Sequence, residues 1–335
     1  MIDMIQEKEN HDKRSGYLTL CYHYIRPDVN DPFPRIIGTK ESNFKDQIKK
    51  LKENFEMISL KEVQEFSYGK KLFNYDTQRM LITFDDGLSD HYNAAKILES
   101  SEIKATFFIP TCILKEKLPA NPMIIHYGIA IYGLEDFLEF FRETLKNLAY
   151  DENKFHITYD RKKDNVWKKI DEIKSIFKYN LEYKESRKIL LDIYQSHILE
   201  DFPDILKKIH LNKEQIKEMI EMGHSIGVHT HTHISVSATS LTKNEFYKEI
   251  IFPKKYFESE FNIPVIAFSY PFGEKKDCLS AMKLLHHTNE YKLAFTAEEI
   301  VNFQNTSPLE LGRYLPKGQE DARTLTNSLS NIIKK

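Results

Sequence analysis

Residues 80–87 read Met-Leu-Ile-Thr-Phe-Asp-Asp-Gly, and this stretch decides the fold. Five apolar or β-branched residues lead directly into Asp85, Asp86 and Gly87, a pattern typical of a buried strand in a parallel sheet. Further apolar runs alternate with helical patterns, at 17–25, 105–110, 224–229, 265–270, 291–296 and 309–315. This alternation predicts an α/β fold with parallel strands and crossover helices.

The strand at 80–84 ends in two adjacent carboxylates. Asp85 and Asp86 repel each other, so both stay ionised only where a cation or a hydrogen-bond donor is close. Gly87 permits the turn that brings both side chains near one point. The same residues also suit a plain turn or the N-cap of a following helix. Reactive residues gather at the carboxyl ends of parallel strands, so the position favours chemistry.

Three histidines alternate along residues 229–233, His-Thr-His-Thr-His, again just after an apolar run. On an extended strand all three would face one way and form a three-histidine metal site. In a turn, His229 and His233 would meet while His231 faces away. The spacing leaves both arrangements open. Such a density of imidazole favours a metal site over a set of solvated loop histidines.

The balance of charge excludes several classes of protein. The 335 residues contain 48 Lys and Arg and 50 Asp and Glu, for a net charge of −2. An electrostatic nucleic-acid binder would carry a concentrated basic patch, so we expect no nucleic-acid partner. No run of 18 apolar residues predicts a membrane span, and the first residues lack the apolar core of an export signal. We therefore expect a cytoplasmic protein, of open oligomeric state.

The order of strand and helix patterns divides the chain into five segments. Strand and helix patterns alternate over 17–117 and 212–316, and these ranges are expected to be the two halves of one barrel domain. Between them, residues 118–211 carry long Lys/Glu-rich helical stripes, which predict a helical insertion larger than an ordinary βα loop. The aromatic residues of those stripes are expected to pack in a core. Residues 1–16 and 317–335 are expected to be tails.

A third short segment, Phe268-Ser269-Tyr270-Pro271-Phe272-Gly273, indicates by itself only a turn after a strand. The order of the three segments is more specific. A strand-end Asp-Asp-Gly, then His-Thr-x-x-His, then aromatic-Pro-Phe-Gly resembles the polysaccharide deacetylases of carbohydrate esterase family 4, the NodB-like domain. The resemblance covers about two-thirds of the chain and leaves the insertion out. It implies a deformed (β/α) barrel of about seven strands that binds one divalent metal ion, with zinc expected.

The resemblance also assigns roles to residues of this chain. It makes Asp85 the general base and makes Asp86, His229 and His233 the metal ligands. One carboxylate and two imidazoles leave open positions for water and substrate, as a catalytic site requires. The third segment is then expected to contact substrate, through Tyr270, Pro271, Phe272 and Gly273.

Two features depart from the family pattern. Ser269 stands where the family has an arginine that orients the base, and the late histidine motif is missing, since His286 and His287 fall in a predicted helix. Both gaps resemble the subgroup that contains the biofilm poly-N-acetylglucosamine deacetylases, in which an early Tyr-His segment supplies the general acid. His23 holds that place here, although it also suits a core histidine. Arg313 could replace the missing arginine beside Asp85 or could equally be a surface residue.

The resemblance implies a metal-dependent deacetylase. The expected substrate is an N-acetylated amino-sugar glycan or a nucleotide- or lipid-linked sugar of glycan biosynthesis. The segment Tyr-His-Tyr-Ile-Arg-Pro at 22–27, followed by Phe33 and Pro34, also resembles deacetylase-like proteins of surface-glycan gene clusters. Two alternatives remain: an amidase that acts on a non-sugar amide with the same metal centre, and an inactive glycan-binding module on the same fold. The presence of both Asp85 and Asp86 favours an enzyme, because metal binding needs only one of them.

Overall fold

The computed structural model describes residues 15–74, 76–151, 157–236 and 241–334. Its main element is an eight-stranded sheet in the order β10-β1-β5-β6-β7-β8-β9, with β4 paired to β5. A separate two-stranded sheet joins β2 and β3. The strands are β1 Gly16–Tyr22, β2 Ile25–Arg26, β3 Thr39–Lys40, β4 Glu56–Met57, β5 Arg79–Phe84, β6 Thr106–Ile109, β7 Ser225–Val228, β8 Ala267–Ser269, β9 Leu293–Phe295 and β10 Asn302–Phe303.

The strands from β1 through β5, β6, β7 and β8 to β9 are all parallel, and only β10 runs antiparallel to its neighbour β1. The predicted strand at 309–315 lies between the two ends of this parallel run. It pairs through single residues only, Leu311 with Phe295 and Tyr314 with Leu20. Together with the six parallel strands it completes a ring of seven. The predicted deformed barrel of about seven strands is therefore confirmed.

Amphipathic helices follow the strands of the first half. The helix Glu41–Asn54 turns Phe44, Ile48 and Leu51 toward the core, at the spacing that one helical face requires. The helix Leu60–Ser67 begins with a capping box between Ser59 and Glu62. The helices of this half are α1 Glu41–Asn54, α2 Leu60–Ser67, α3 Asp90–Ser100 and α4 Cys112–Lys115.

Residues 118–211 contain no strand in their described part and are largely helical. Their hydrophobic side chains, such as Phe137 and Ile189, belong to the same buried cluster as Ile82 of the barrel. The insertion is therefore packed on the barrel rather than being a separate body. Its helices are α5 Asn121–Tyr132, α6 Leu134–Asn147, α7 Val166–Ser175, α8 Tyr183–Ile193, α9 Leu199–Asp201 and α10 Ile205–Ile209, with α7 and α8 continued by π-helical turns at Ile176–Asn180 and Tyr194–Ile198.

The second half restores the alternation of strand and helix. Its helices are α11 Lys213–Glu221, α12 Lys243–Phe246, α13 Phe252–Phe261, α14 Lys275–Thr288 and α15 Ala322–Ile333. Helix α15 corrects the expected C-terminal tail, because Leu325, Leu329 and Ile332 form a buried stripe and the helix packs on α1. At the other end, β1 begins at Gly16, and residues 1–14 of the expected N-terminal tail lie outside the described residues. In the ranges described, none of the helices is both long and apolar enough to cross a membrane.

Candidate active site

The carboxyl ends of the parallel strands bring the predicted site residues together. Asp85 and Asp86 follow β5, His229 follows β7, and Arg313 lies in the closing segment 309–315. Because parallel strands end at the same mouth of a barrel, these separate pieces of sequence converge. All of them line one cavity of about 190 Å³, together with His23 and His233.

Asp85 is held from two sides. Arg313 donates from Nη1 to Oδ1 and from Nη2 to Oδ2, both at 2.8 Å, and the Ser269 hydroxyl donates to Oδ2 at 2.9 Å. Arg313 in turn donates from Nε to the Thr296 carbonyl at 2.8 Å. Burial raises the pKa of Asp85, but the charge of Arg313 followed by that of His229 outweighs it and holds the pKa well below the usual aspartate range. Asp85 is therefore a buried carboxylate with a fixed orientation.

This arrangement decides between the two interpretations of Arg313. Its side chain is 2% exposed, so it is not a surface residue. It reaches Asp85 from the closing segment 309–315, and the Ser269 hydroxyl bonds both Asp85 and Arg313. Of the two interpretations that the sequence left open, the position beside Asp85 is the one that the structure has.

The turn after Asp85 has an unusual backbone. Asp86 and Gly87 both have positive φ, at 80° and 59°. A side chain at Gly87 would in addition place its Cβ 2.8 Å from Ile109, so only glycine fits there without a shift. The double left-handed turn reverses the chain and leaves both carboxylates at the barrel mouth.

His229 and His233 form a pair, as the turn interpretation predicted. Their ring centroids are 4.5 Å apart, and the backbone of Thr230 and His233 is left-handed, so residues 229–233 are not an extended strand. His229 Nδ1 lies 2.9 Å from the Ser269 carbonyl. A carbonyl only accepts, so Nδ1 carries the proton and Nε2 keeps its lone pair for a ligand.

His231 points away from this pair. Its Nδ1 lies 2.7 Å from the Thr111 hydroxyl and its Nε2 lies 2.9 Å from Glu116. The hydrogen bond from His231 lowers the pKa of Glu116 most, and the positive charges of His231 and Lys248 lower it further, to about 2. The three-histidine arrangement that the spacing had left open is therefore excluded by the geometry.

A buried carboxylate holds the histidine loop from behind. Glu249 accepts hydrogen bonds from the backbone N–H groups of His231 at 3.1 Å and Thr232 at 3.0 Å. The Thr232 hydroxyl donates to the same carboxylate at 3.1 Å. The loop therefore has fixed backbone positions on either side of His231. The local sequence around Glu249 does not indicate this role. Glu249 lies in a π-helical turn 17 residues after Thr232, and it meets the histidine loop only through tertiary packing.

Asp86, His229 and His233 fit a metal ion. Their potential ligand atoms all lie within 4.8 Å of one another. Asp86 Oδ1 is 3.0 Å from His233 Nε2 and 3.5 Å from His229 Nε2. Ligands bound at about 2.1 Å to one tetrahedral ion lie about 3.4 Å from each other, so these distances suit a shared ion. Asp86 Oδ1 is also buried and accepts no hydrogen bond within the described chain.

A second cluster, Cys21, His23 and Asp85, also has its ligand atoms within 4.8 Å. It suits a metal less well. Burial raises the pKa of the Cys21 thiol well above its usual value, and the thiolate is the form that binds metal. Asp85 is already engaged by Arg313 and Ser269. His23 is left as a partly buried imidazole that lines the same cavity as Asp85 and Asp86. Its assignment as general acid stays a prediction.

The third segment contributes two side chains to the cavity wall, Tyr270 and Phe272. The Phe272 ring stands edge-on to His233 with centroids 4.9 Å apart, and it is 36% exposed. Pro271 and Gly273 shape the turn instead. Gly273 has a φ of 70°, and a Cβ there would lie 2.8 Å from Ala297. Of the four residues expected to contact substrate, Tyr270 and Phe272 are therefore the two that line the cavity.

The insertion supplies a wall of the same cavity, which the sequence did not indicate. Lys178 donates to the buried Asp277 at 2.7 Å, and its Nζ lies 3.9 Å from the centre of the Phe272 ring. Helical stripes signal burial but not what they are buried against, so no local pattern could have found these residues. The wall residues from the insertion are Asn121, Pro122, Met123, Ile125, His126, Lys174, Phe177, Lys178, Tyr183, Ser186 and Leu190.

The fold and the strand-end site place this chain among the (β/α) barrels with a polar centre at the barrel mouth. Comparison with known families adds a match of residues 195–289 to the polysaccharide deacetylase model. That range contains His229, His233 and the third segment but not Asp85. Among curated protein sequences no relative matches this chain.

Several solved structures share the fold across nearly the whole chain. The deacetylase PplD of Streptococcus pyogenes is 18% identical with a TM-score of 0.55, and the alignment covers 94% of this chain and 98% of PplD. IcaB of Ammonifex degensii is 16% identical with a TM-score of 0.54, over 93% of this chain and 96% of IcaB. A polysaccharide deacetylase of Bacillus cereus is 16% identical with a TM-score of 0.54, and the alignment covers 94% of this chain and 69% of that protein. These findings confirm the resemblance to the NodB-like polysaccharide deacetylases.

Proposed function

We propose that this chain is a metal-dependent hydrolase that removes N-acetyl groups from an amino sugar, in a glycan or in an intermediate of its synthesis. The observation that carries the proposal is the juxtaposition of an oriented carboxylate, Asp85, with the ligand set Asp86, His229 and His233. The family match supports glycan deacetylation as the reaction class. PplD was solved with acetate, which is the product proposed here.

The residues of this chain divide the reaction between them. Asp86, His229 and His233 would hold a divalent ion, expected to be zinc, which when bound supplies Lewis-acid polarisation of the acetamide carbonyl. Oδ1 of Asp85 accepts a hydrogen bond from Arg313 and has a second lone pair that can take up a proton. Asp85 takes a proton from the attacking water there while the water oxygen bonds to the carbonyl carbon.

Departure of the amine needs a proton, because an amide anion is a very poor leaving group. His23, in its protonated form, faces the cavity and donates that proton to nitrogen as the C–N bond breaks. The products are acetate and a free amino sugar. Arg313 and Ser269 hold Asp85 in place throughout.

The same network argues against an inactive glycan-binding module. Desolvating a carboxylate costs free energy even when it is paired with arginine. A module that only binds glycan gains nothing from holding Asp85 buried beside a complete ligand set. The amidase alternative shares the chemistry and differs only in the substrate.

The proposal is tested by acetate release. The purified chain, loaded with zinc or cobalt, is incubated with N-acetylated monosaccharides, oligomers and sugar nucleotides, and with simple amides. We expect acetate from at least one N-acetyl sugar and none from metal-stripped protein. Hydrolysis of simple amides alone would favour the amidase, and sugar binding without acetate release would favour the inactive module.

A further inference from the structure

A second and larger cavity lies beside the candidate active site. Its volume is about 800 Å³, against about 190 Å³ for the first. Most of its wall is aliphatic or aromatic, with Ile36, Ile37, Ile129, Leu134, Trp167 and Ile170 among the lining residues. Ile37 and Trp167 remain 51% and 55% exposed at its edge. The insertion therefore builds an apolar cleft that deacetylation itself does not need.

Two side chains border both cavities, His126 and Lys174. Burial, with a smaller effect of the Lys174 charge, lowers the pKa of His126 to about 3, so this imidazole is neutral; its Nδ1 lies 2.8 Å from the Tyr24 hydroxyl. Lys174 is half-buried, and Asp171 is the one charge that stabilises its ammonium form within the described chain. Among the residues that the structure describes, this lysine between the two cavities has no close ion-pair partner.

The other charges of the second cavity have both signs. Arg35 and Arg161 line it together with Glu135 and Asp136. With Lys174 the lining has three positive and two negative side chains, for a net charge of +1. Lys174 is the one of these five charged side chains that also lines the first cavity.

We propose that the second cavity holds the apolar chain of a lipid-linked sugar, whose phosphate contacts Lys174 and whose amino sugar occupies the first cavity. The inference rests on the proposed function and specifies its substrate class. The order of groups along the protein is the carboxylates and imidazoles of the first cavity, then Lys174, then a cleft with many apolar side chains. This order follows that of sugar, phosphate and hydrocarbon along such a ligand. Aliphatic walls complement hydrocarbon better than the hydroxyl-rich surface of further sugar units.

The fluorescence of Trp167 can report ligand binding in the second cavity. Trp167 is the one tryptophan of the chain and lies in the cavity wall. Titration of the zinc-loaded protein with decyl phosphate, below the concentration at which it forms micelles, should shift the Trp167 emission to shorter wavelength and saturate. Each added methylene that is buried should tighten binding about fourfold, so decyl phosphate should bind more tightly than octyl phosphate.

Variants separate the phosphate contact from the cleft. Lys174→Gln should weaken decyl phosphate binding about tenfold or more, because it removes a charge-assisted contact, and should leave decanol binding unchanged. Lys168→Gln is the matched control, since Lys168 is exposed on the same helix and lines neither cavity. Ile37→Glu should weaken both ligands, and Leu72→Glu, at a residue 76% exposed and outside the cavity wall, should weaken neither.

Two results would overturn the inference. In the first, uridine diphosphate or an N-acetylglucosamine oligomer shifts the Trp167 emission and decyl phosphate does not. The other is equal binding by Lys174→Gln and Lys168→Gln. The acetate assay separates this inference from the proposed function. Acetate release from free oligomers without decyl phosphate binding rejects the lipid-linked substrate and keeps the deacetylase. Saturable, Lys174-dependent binding with no acetate from any N-acetyl sugar keeps the cleft assignment and rejects the deacetylase.

Discussion

The chemistry of the site depends on how Asp85 is held. Its carboxylate receives two hydrogen bonds from Arg313 and one from Ser269, and both partners are buried. Because the guanidinium binds in a bidentate manner, it fixes the plane of the carboxylate as well as its charge. The resemblance leads one to expect an arginine at position 269, and Arg313, which lies 44 positions later, holds Asp85 instead.

Arg313→Lys should keep the positive charge but lose the fixed fork geometry. We expect kcat to fall roughly a hundredfold, the cost of a misplaced catalytic group, with metal content unchanged. Ser269→Ala removes the hydrogen bonds of this hydroxyl to Asp85 and Arg313 and should lower kcat about tenfold. Steady-state kinetics on metal-loaded protein measure both effects. Wild-type kcat in Arg313→Lys would mean that Asp85 needs no bidentate partner.

The histidines of residues 229–233 separate into two roles. His233→Ala should lose the metal ion, because its Nε2 is one of three clustered ligand atoms. His231→Ala should retain about one ion per chain, because His231 bonds Thr111 and Glu116 instead. Metal content after extensive dialysis distinguishes the two variants. Equal loss from both would show that His231 acts as a ligand in solution.

Among the elements, those that carry strong local patterns were predictable. Residues 80–84 and 105–110 are apolar apart from Thr83 and Thr106, and the structure has β5 and β6 there. The closing strand at 309–315 is reduced to single bridges, because neighbouring residues bond different strands, Leu311 to β9 and Tyr314 to β1. The spacing of Leu325, Leu329 and Ile332 is a helical stripe that the sequence already carried, and it would have predicted α15.

Helix α15 should contribute to the free energy of unfolding through its buried face. Leu329 is completely buried, so Leu329→Ala should cost about 2–5 kcal/mol by lost burial and a residual cavity. Asn327→Ala is the matched control, since Asn327 is exposed on the same helix. Urea denaturation measures both, as a shift in midpoint at constant m. If the two variants unfold alike, the C-terminal segment does not pack as described.

At the scale of the whole molecule, the substrate cavities were beyond the sequence. The motif residues could be predicted because each follows its strand by one or a few positions. The cavity wall joins residues such as Lys178 and Phe272, which are nearly a hundred positions apart and meet only through tertiary packing. The stripes of the insertion were correctly expected to pack, but the partner surface of a stripe is not encoded locally. The cytoplasmic location stays a prediction.

Global stability should depend on pH through His224. Its Nδ1 accepts from the Ala105 N–H at 3.1 Å and its Nε2 lies 3.1 Å from the Ala95 carbonyl, so the ring must be neutral. Burial, with a smaller contribution from Lys104, lowers its pKa to about 4. Below the unfolded-state pKa of about 6.5, the unfolded chain takes up a proton that the folded chain refuses.

Stability should therefore fall as pH drops from about 6.5 toward 4, by on the order of 1.4 kcal/mol per pH unit from this residue. The glutamine in His224→Gln cannot titrate. The free energy of unfolding of this variant should therefore fall less steeply with falling pH, whatever its value at pH 7. Chemical denaturation at a series of pH values gives both slopes. Identical slopes would show that His224 is protonated equally in both states.

The division of labour between the two adjacent carboxylates is tested most directly by measuring metal content and acetate release on the same samples of wild type, Asp85→Asn and Asp86→Asn. Wild type should hold about one divalent ion per chain and release acetate. Asp85→Asn should keep the ion while kcat falls by roughly 10²–10⁴, the usual effect of losing a general base. Asp86→Asn should lose the ion first and recover part of its activity at high metal concentration. The reverse pattern, with the ion lost from Asp85→Asn and retained in Asp86→Asn, would contradict the assignment of base and ligand.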